Sequence, residues 1–308
     1  MLIIAFKAAM STPPSRSRTL RQRITGNPLD PNDPTGSMVK PAELVDVVEL
    51  TPLTLTDRRT YNLLLAHAWN RIDEDVEHAI PKAVLRGTHE SNDRLVDTIR
   101  RLRAAQVEVR IFRNGRPYIR SISLLGRVDR PEDGDDETGA IYYKFDADMR
   151  DIIRESSIFA RLQTEVMFCF SSKYALALWE MVQKRGGLKH KNTEEFTPDE
   201  LRKMLGVPRG KLREFSHFRQ KVLIPAVDEV NALSPFMVQL DAVRHGRKVI
   251  KLRLIWFAKD EQGLKSAYCE VQRHKAGRKA RISGLAEVIA GPAAAVEFDD
   301  DLPCGLAG

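Results

Sequence analysis

Three observations predict an α+β chain in which one structural unit is used twice. Between about residues 43 and 260, helical periodicity followed by a strand–turn–strand signal occurs in two successive copies. The two ends of the chain lack that periodicity. Basic residues gather on the last helix and the hairpin of each copy, with acids placed elsewhere.

Residues 1–42 form an extension. Its stretch 11–37 is rich in Ser, Thr, Pro, Asp and Gly, as in Gly26-Asn27-Pro28-Leu29-Asp30-Pro31. Such a composition cannot bury enough apolar surface to offset chain entropy, so the extension is expected to be disordered. The apolar start Leu2–Phe6 is cut off by Lys7, short of the roughly 7–15 apolar residues of a secretory segment. Ordered patterning is expected from about Glu43, so a chain beginning at Met38 should fold.

The first copy occupies residues 43–160. A helix over Thr54–Ile72, capped by Thr54 or Thr56, carries Leu63, Leu64 and Trp69 on its apolar side. A short helix fits His78–Arg86, and a third begins at Ser91, a good N-cap residue. Its Leu95, Ile99 and Leu102 stand at i, i+4 and i+7, the stripe of a core-facing helix. Val107, Val109 and Ile111 then alternate with Glu108, Arg110 and Phe112. Asn114-Gly115 signals a tight hairpin, because both central positions of that turn need positive φ. A return strand runs from Tyr118 to Ile122.

The second copy occupies residues 161–262. A helix runs from Ser171 to about Lys184. Thr197-Pro198-Asp199-Glu200 opens another with a cap, a first-turn proline and a capping-box glutamate, and it stops at Gly206. A long helix over Lys211–Leu233 places Phe218, Val222, Ala226 and Leu233 on one face, with Pro225 expected to kink it. Strands over Met237–Val243 and Lys248–Phe257 flank the turn His245-Gly246-Arg247. Residues 263–308 read as a largely disordered tail. Three helices followed by a hairpin is the winged-helix plan, in which the third helix enters the major groove and the hairpin rides the backbone. The fold expected is therefore two tandem winged-helix domains related as pseudo-repeats, between a disordered extension and a tail.

Charge placement points to the partner. Net charge is +7, distributed as −4 over residues 41–160 and +8 over 171–260. Residues 94–127 hold nine arginines against Asp97 and Glu108. Arg94, Asp97 and Arg101 lie opposite the Leu95/Ile99/Leu102 stripe, and Arg113 and Arg116 flank the hairpin turn; these five are the first copy's candidate DNA contacts. Residues 202–221 hold seven basic groups, Arg202 among them, against Glu214. Opposite Phe218 and Val222, the predicted helix presents Arg209, Arg213, Ser216, His217 and Gln220. Arginine pairs bidentately with guanine and glutamine with adenine, while Lys211 and Lys221 suit phosphates. Arg244, Arg247 and Lys248 on the second hairpin, followed by Lys251 and Arg253, have no acid among them. A merely solvated charged face would intersperse acids.

Enzymatic signatures are missing from the sequence. It has no phosphate-loop motif, no His-apolar-His pair of a nickase, no HExxH and no carboxylate cluster with metal-ligand spacing. No catalytic residue, metal or cofactor is expected. Cys169, Cys269 and Cys304 form no CxxC pair and are odd in number, which fits a reducing cytoplasm. No apolar run approaches the ~20 residues of a membrane span.

Ser172-Lys173-Tyr174-Ala175-Leu176-Ala177-Leu178-Trp179-Glu180, Glu200-Leu201-Arg202-Lys203-Met204-Leu205-Gly206-Val207, Phe215 and Phe218 leading into Val222–Asn231, and Gly246-Arg247-Lys248-Val249 resemble the iteron-binding replication initiators (Rep proteins) of theta-replicating plasmids. The resemblance covers residues 43–260 and is most specific over 171–257. It implies two winged-helix pseudo-repeats without enzymatic activity. Monomers would bind direct repeats of double-stranded origin DNA, open an adjacent AT-rich segment and recruit the host initiator and helicase. Dimers would repress the protein's own gene, largely through the first domain. The long N-terminal extension and the tail depart from the family and inherit no role. The rival readings are a tandem winged-helix transcriptional repressor and an origin-cutting nickase, the latter disfavoured by the absent histidine pair.

Overall fold

The computed structural model describes residues 36–86, 92–132, 139–188, 190–282 and 284, with backbone alone at 86 and 92–94. The described residues up to Arg273 form one compact unit and those from His274 another. In chain order the first half comprises β1 (Ser37–Pro41), α1 (Ala42–Val45), β2 (Val48–Glu49), α2 (Leu55–Ala68), β3 (His78–Pro81), α3 (Lys82–Arg86), α4 (Asn92–Ala104), β4 (Gln106–Arg113), β5 (Arg116–Ser123), β6 (Val128–Asp129), β7 (Ala140–Tyr143), α5 (Ala147–Glu155) and β8 (Phe159–Gln163). The second comprises α6 (Thr164–Cys169), α7 (Lys173–Gly186), β9 (Thr193–Phe196), α8 (Pro198–Met204), α9 (Phe215–Phe218), α10 (Ile224–Leu233), β10 (Phe236–His245), β11 (Lys248–Ala258) and α11 (Glu261–Gln272), with a short helix α12 (Arg278–Ile282) in the other unit.

Both copies have the expected order of helices and hairpin. In the first, α2, α3 and α4 precede the hairpin β4–β5, to which β2 adds a third strand. In the second, α7, α8 and the α9–α10 helix precede the hairpin β10–β11, with β9 alongside β11. Thr54 is the cap of α2: its hydroxyl accepts from Asp57 N and the Asp57 carboxylate accepts from Thr54 N. Thr197 and Glu200 close the same box on α8. Asn114 (φ 51°) and Gly115 (φ 74°) supply the two positive-φ positions of the first hairpin turn.

Five expectations need correction. Order begins before residue 43: all five residues of β1 are buried, and β1 pairs antiparallel with β8, Met38 opposite Leu162 and Lys40 opposite Ala160. The rest of the extension, residues 1–35, lies outside the described residues. His78–Pro81 is a strand paired with β7, and only Lys82–Arg86 is helical. Helix α2 is not amphipathic, because Tyr61, Asn62, Leu63, Leu64 and Leu65 are all buried. It packs against α4, β1, β3 and α7, so more than one side is covered. The long helix of the second copy starts at Phe215, not Lys211, because Gly210 (φ 81°) and Leu212 (φ 51°) turn the preceding chain out of the helix. Pro225 sits just after a π-helical turn, Arg219–Leu223, in which Ile224 N bonds to Arg219 O. The wider turn accommodates a ring that has no N–H to give. The tail, finally, opens with α11, capped by Asp260 on Gly263 N and packed against α10 and α6 through Ala267 and Val271.

The two copies are not separately cored. One apolar cluster runs from Met38 and Leu64 in the first through Leu176 and Trp179 on α7 to Val222, Val230 and Leu254 in the second.

Candidate nucleic-acid interface

The second copy presents its cations at the front of the helix-turn-helix. Arg209, Lys211 and Arg213 lie in the loop between α8 and α9, and Ser216, His217, Gln220 and Lys221 follow on the helix; all seven are exposed. They therefore come together as a loop plus the first turns of a helix, where the sequence predicts a single helical face. Arg219 is exposed beside them.

Arg202, one of the seven basic groups of the sequence count, has a different role. Its Nη2 donates to Arg213 O at 2.9 Å and its Nε to Leu212 O at 3.2 Å, while Nη1 pairs with Asp199 at 2.7 Å. The guanidinium lies over the Phe218 ring at 4.7 Å. One planar fork thus ties α8, the loop and the first turn of α9 together, and holds Leu212 in a left-handed conformation that a branched side chain rarely adopts.

Arg244, Arg247 and Lys248 are exposed at the end of the second hairpin, where Gly246 takes φ 60° and a bulge falls between Val243 and Arg244. Lys251 and Arg253 do not join them. Both bond to Glu195 on β9, at 2.7 and 2.9 Å, and those hydrogen bonds hold the Glu195 carboxyl below the usual carboxylate range.

In the first copy, Arg94 is helical, but its side chain lies outside the described residues. Asp97 is exposed and pairs with Arg100 at 3.0 Å. Arg101 braces helix to helix: its Nε and Nη2 form a fork on the fully buried Asp57 of α2, and Nη2 also bonds Thr98. That hydrogen bonding raises the Arg101 pKa. Arg113 and Arg116 are exposed at the hairpin tip. Two acids of this copy pair with its own bases, Glu77 with Arg127, and Asp75 with Lys144 and Arg150.

Buried charges pin α7 to the first copy. Lys40 Nζ reaches Glu180 at 2.8 Å and Asn62 Oδ1 at 3.0 Å, and Asn62 Nδ2 reaches the other Glu180 oxygen at 2.7 Å. Burial lowers the Lys40 pKa despite Glu180. Arg185 bonds Asp46 at 2.9 Å and Glu194 at 3.1 Å; burial alone would raise the Asp46 carboxyl, but Arg185 and Lys184 hold it low. Glu49 bonds Arg58 at 2.8 Å and lies 3.6 Å from Lys173. A Cβ at Gly206 would come within 2.7 Å of the Glu49 carboxylate, so this glycine lets the α8–α9 loop lie against the first copy. Among the described residues no group of three His, Cys, Asp or Glu is placed to hold a metal ion, and no helix is long and apolar enough to cross a membrane.

Two family profiles match the chain: initiator replication protein, WH1, over residues 37–183, and initiator Rep protein, WH2, over residues 197–256. The first begins at β1 and includes most of α7, past the boundary expected at residue 160. Among solved structures, a Pi initiator protein in complex with iteron DNA is 19% identical, with a TM-score of 0.51, over 74% of this chain and 98% of that one. A structure of domains 2 and 3 of RctB is 15% identical, with a TM-score of 0.39, over 68% of this chain and 84% of that one. No characterised protein sequence matches.

Proposed function

The chain belongs to the initiator Rep protein family of paired winged-helix domains, and from that premise we propose that it starts replication of a bacterial plasmid from the cytoplasm. It binds direct repeats of double-stranded DNA at the origin, promotes opening of an adjacent AT-rich segment and recruits the host initiator and helicase. As a dimer it represses its own gene. It needs no cofactor and catalyses no bond-breaking step. The observation that carries this reading is the exposed, cation-rich loop and helix start of the second copy, Arg209 to Lys221. Residues 161–262 are the main reader of bases. The first copy, residues 43–160 extended by β1, adds a weaker DNA contact through Arg94, Asp97, Arg113 and Arg116, and the dimer contact. Arg101 supports it from behind through Asp57.

The solved Pi initiator was bound to iteron DNA, which supports duplex repeats as the ligand here. Footprinting of the full chain on the DNA beside its gene tests the reading. Protection of tandem repeats next to an AT-rich tract, together with rescue of a plasmid lacking any other origin, is the expected result. Protection of one inverted repeat without rescue would make it a repressor. Arg213→Ala should cost about 1–3 kcal/mol and relax preference at one base position. Arg247→Ala or Lys248→Ala should weaken binding to all sequences and lower the log–log salt slope by about 1.

A further inference from the structure

The two hairpins share an architecture but differ in chemistry. From Ala242 to Lys251 the second is basic, with Ile250 its one large exposed hydrophobic. That composition suits phosphates. The first emerges from its domain beyond Val109: Ile111 is half-buried against the core, and every residue from Phe112 to Ile119 is exposed. Cross-strand register puts Arg110 opposite Ile119 and Phe112 opposite Pro117 on one face, with Ile111 opposite Tyr118 on the other. Phe112 is 70% exposed, Ile119 60% and Tyr118 50%. Arg113 and Arg116 face each other at the tip, and among the described residues neither has an ion pair.

Apolar side chains gain nothing against phosphate oxygens. Exposed aromatic and branched groups set among arginines fit the minor groove, where apolar wedges part base steps and arginine follows the narrow, electronegative floor. The reach is sufficient: Phe112 stands three residues beyond the buried Val109, roughly 10 Å at ~3.4 Å each, against a minor groove about 7.5 Å deep. A second copy of the chain fits less well. Glu108 is the single acid between residues 106 and 123, so self-contact at this tip would set arginine against arginine.

We propose that the first hairpin is an apolar wedge, in which Phe112, aided by Pro117, Ile119 and Tyr118, enters the minor groove of A·T-rich duplex DNA and unstacks a base step, while Arg113 and Arg116 hold the groove walls. This rests on the initiator reading and assigns the opening of DNA to the first domain.

The test uses the full chain, its Phe112→Ala and Arg113→Ala variants, and an alternating A·T duplex carrying one fluorescent adenine analogue that brightens on unstacking. The wild-type chain should raise the fluorescence on saturation. Phe112→Ala should bind with an unchanged salt slope but lose that rise, and Arg113→Ala should lower the slope by about 0.9. An undiminished rise with Phe112→Ala would overturn the wedge while leaving DNA binding in place. So would a change in oligomeric mass, read by light scattering, with no effect on DNA. Failure of the wild-type chain to bind any duplex would overturn the initiator reading and the wedge together.

Discussion

His78 shows how one residue's burial becomes a property of the whole first domain. It lies on β3 opposite Tyr143, its ring 5.3 Å from the Tyr143 ring and 6.1 Å from Phe145. Burial, then the nearby His67 and Arg71, lower its pKa from 6.5 to about 4. The unfolded chain therefore takes up this proton first as pH falls. Stability is complete above pH 6.5 and declines between 6.5 and 4. His67, bonded to the Tyr143 hydroxyl, shifts the same way through burial. The lowered carboxylates Asp46 and Glu194 lose their contribution only at lower pH, from their ordinary 3.8 and 4.5 downward. Thermal melts should thus show Tm falling between pH 6.5 and 5, and His78→Gln should flatten that limb. An unchanged limb would place the titrating group elsewhere. None of this is legible in the sequence, where His78 reads as the start of a helix. Its neighbour across the strand is 65 residues away. Arg101 is a similar case, since its partner Asp57 lies on another helix 44 residues away.

Elements declare themselves where the signal is local. The Thr197–Glu200 capping box, Asn114-Gly115 and the i, i+4, i+7 stripe of α4 all involve residues within a few positions of one another, and they appear where the sequence puts them. The strand β1 does not, because Ser-Met-Val-Lys-Pro carries no alternation: its buried lysine is explained by Glu180 and Asn62, 140 and 22 residues away. The helix α11 buries Ala267, Glu270 and Val271 and leaves Leu264 and Tyr268 exposed, so its apolar stripe is weak. The start of α9 is misplaced because the spacing of Leu212, Phe215 and Phe218 suits a helix, and nothing local announces a left-handed leucine. What sustains Leu212 is Arg202, through the carbonyls of Leu212 and Arg213 and the Phe218 ring. Arg202 is thus a positioning residue for the loop that carries Arg209, Lys211 and Arg213. Arg202→Lys keeps the charge but loses the fork. It should reduce affinity for a duplex selected from a random pool by the wild-type chain about tenfold, with the salt slope unchanged. If Arg202 were a phosphate contact instead, Arg202→Lys would bind normally and Arg202→Gln would lower the slope by about 1. Anisotropy titrations at several salt concentrations separate the two.

At the scale of the molecule, the two winged-helix copies share α7, which packs on the first through both apolar and charged groups. The core cluster crosses between them through α7, and at its centre Lys40, Asn62 and Glu180 satisfy one another with side-chain exposures of 6% for Lys40 and 1% for Glu180. Taking two charges out of water costs several kcal/mol each, so this trio adds little net stability over apolar groups of the same shape. What it adds is intolerance of misalignment, since a slip that parts Lys40 from Glu180 leaves a buried charge without its counterion. Orientation matters here, because the loop and helix of one copy and the hairpin of the other must meet one duplex in the proposed function. Glu180→Ala should therefore cost about 3–5 kcal/mol. Replacing all three together, as Lys40→Met, Asn62→Leu and Glu180→Leu, should recover most of that loss, because no polar atom of the trio is then left unpaired. Urea denaturation monitored by fluorescence, where Trp179 is fully buried on the same helix, reads both values. It should show a single transition for the wild-type chain. Two well-separated transitions would mean that α7 does not couple the two copies, and a triple variant no more stable than Glu180→Ala that the charges do not set the register of α7 on the first domain.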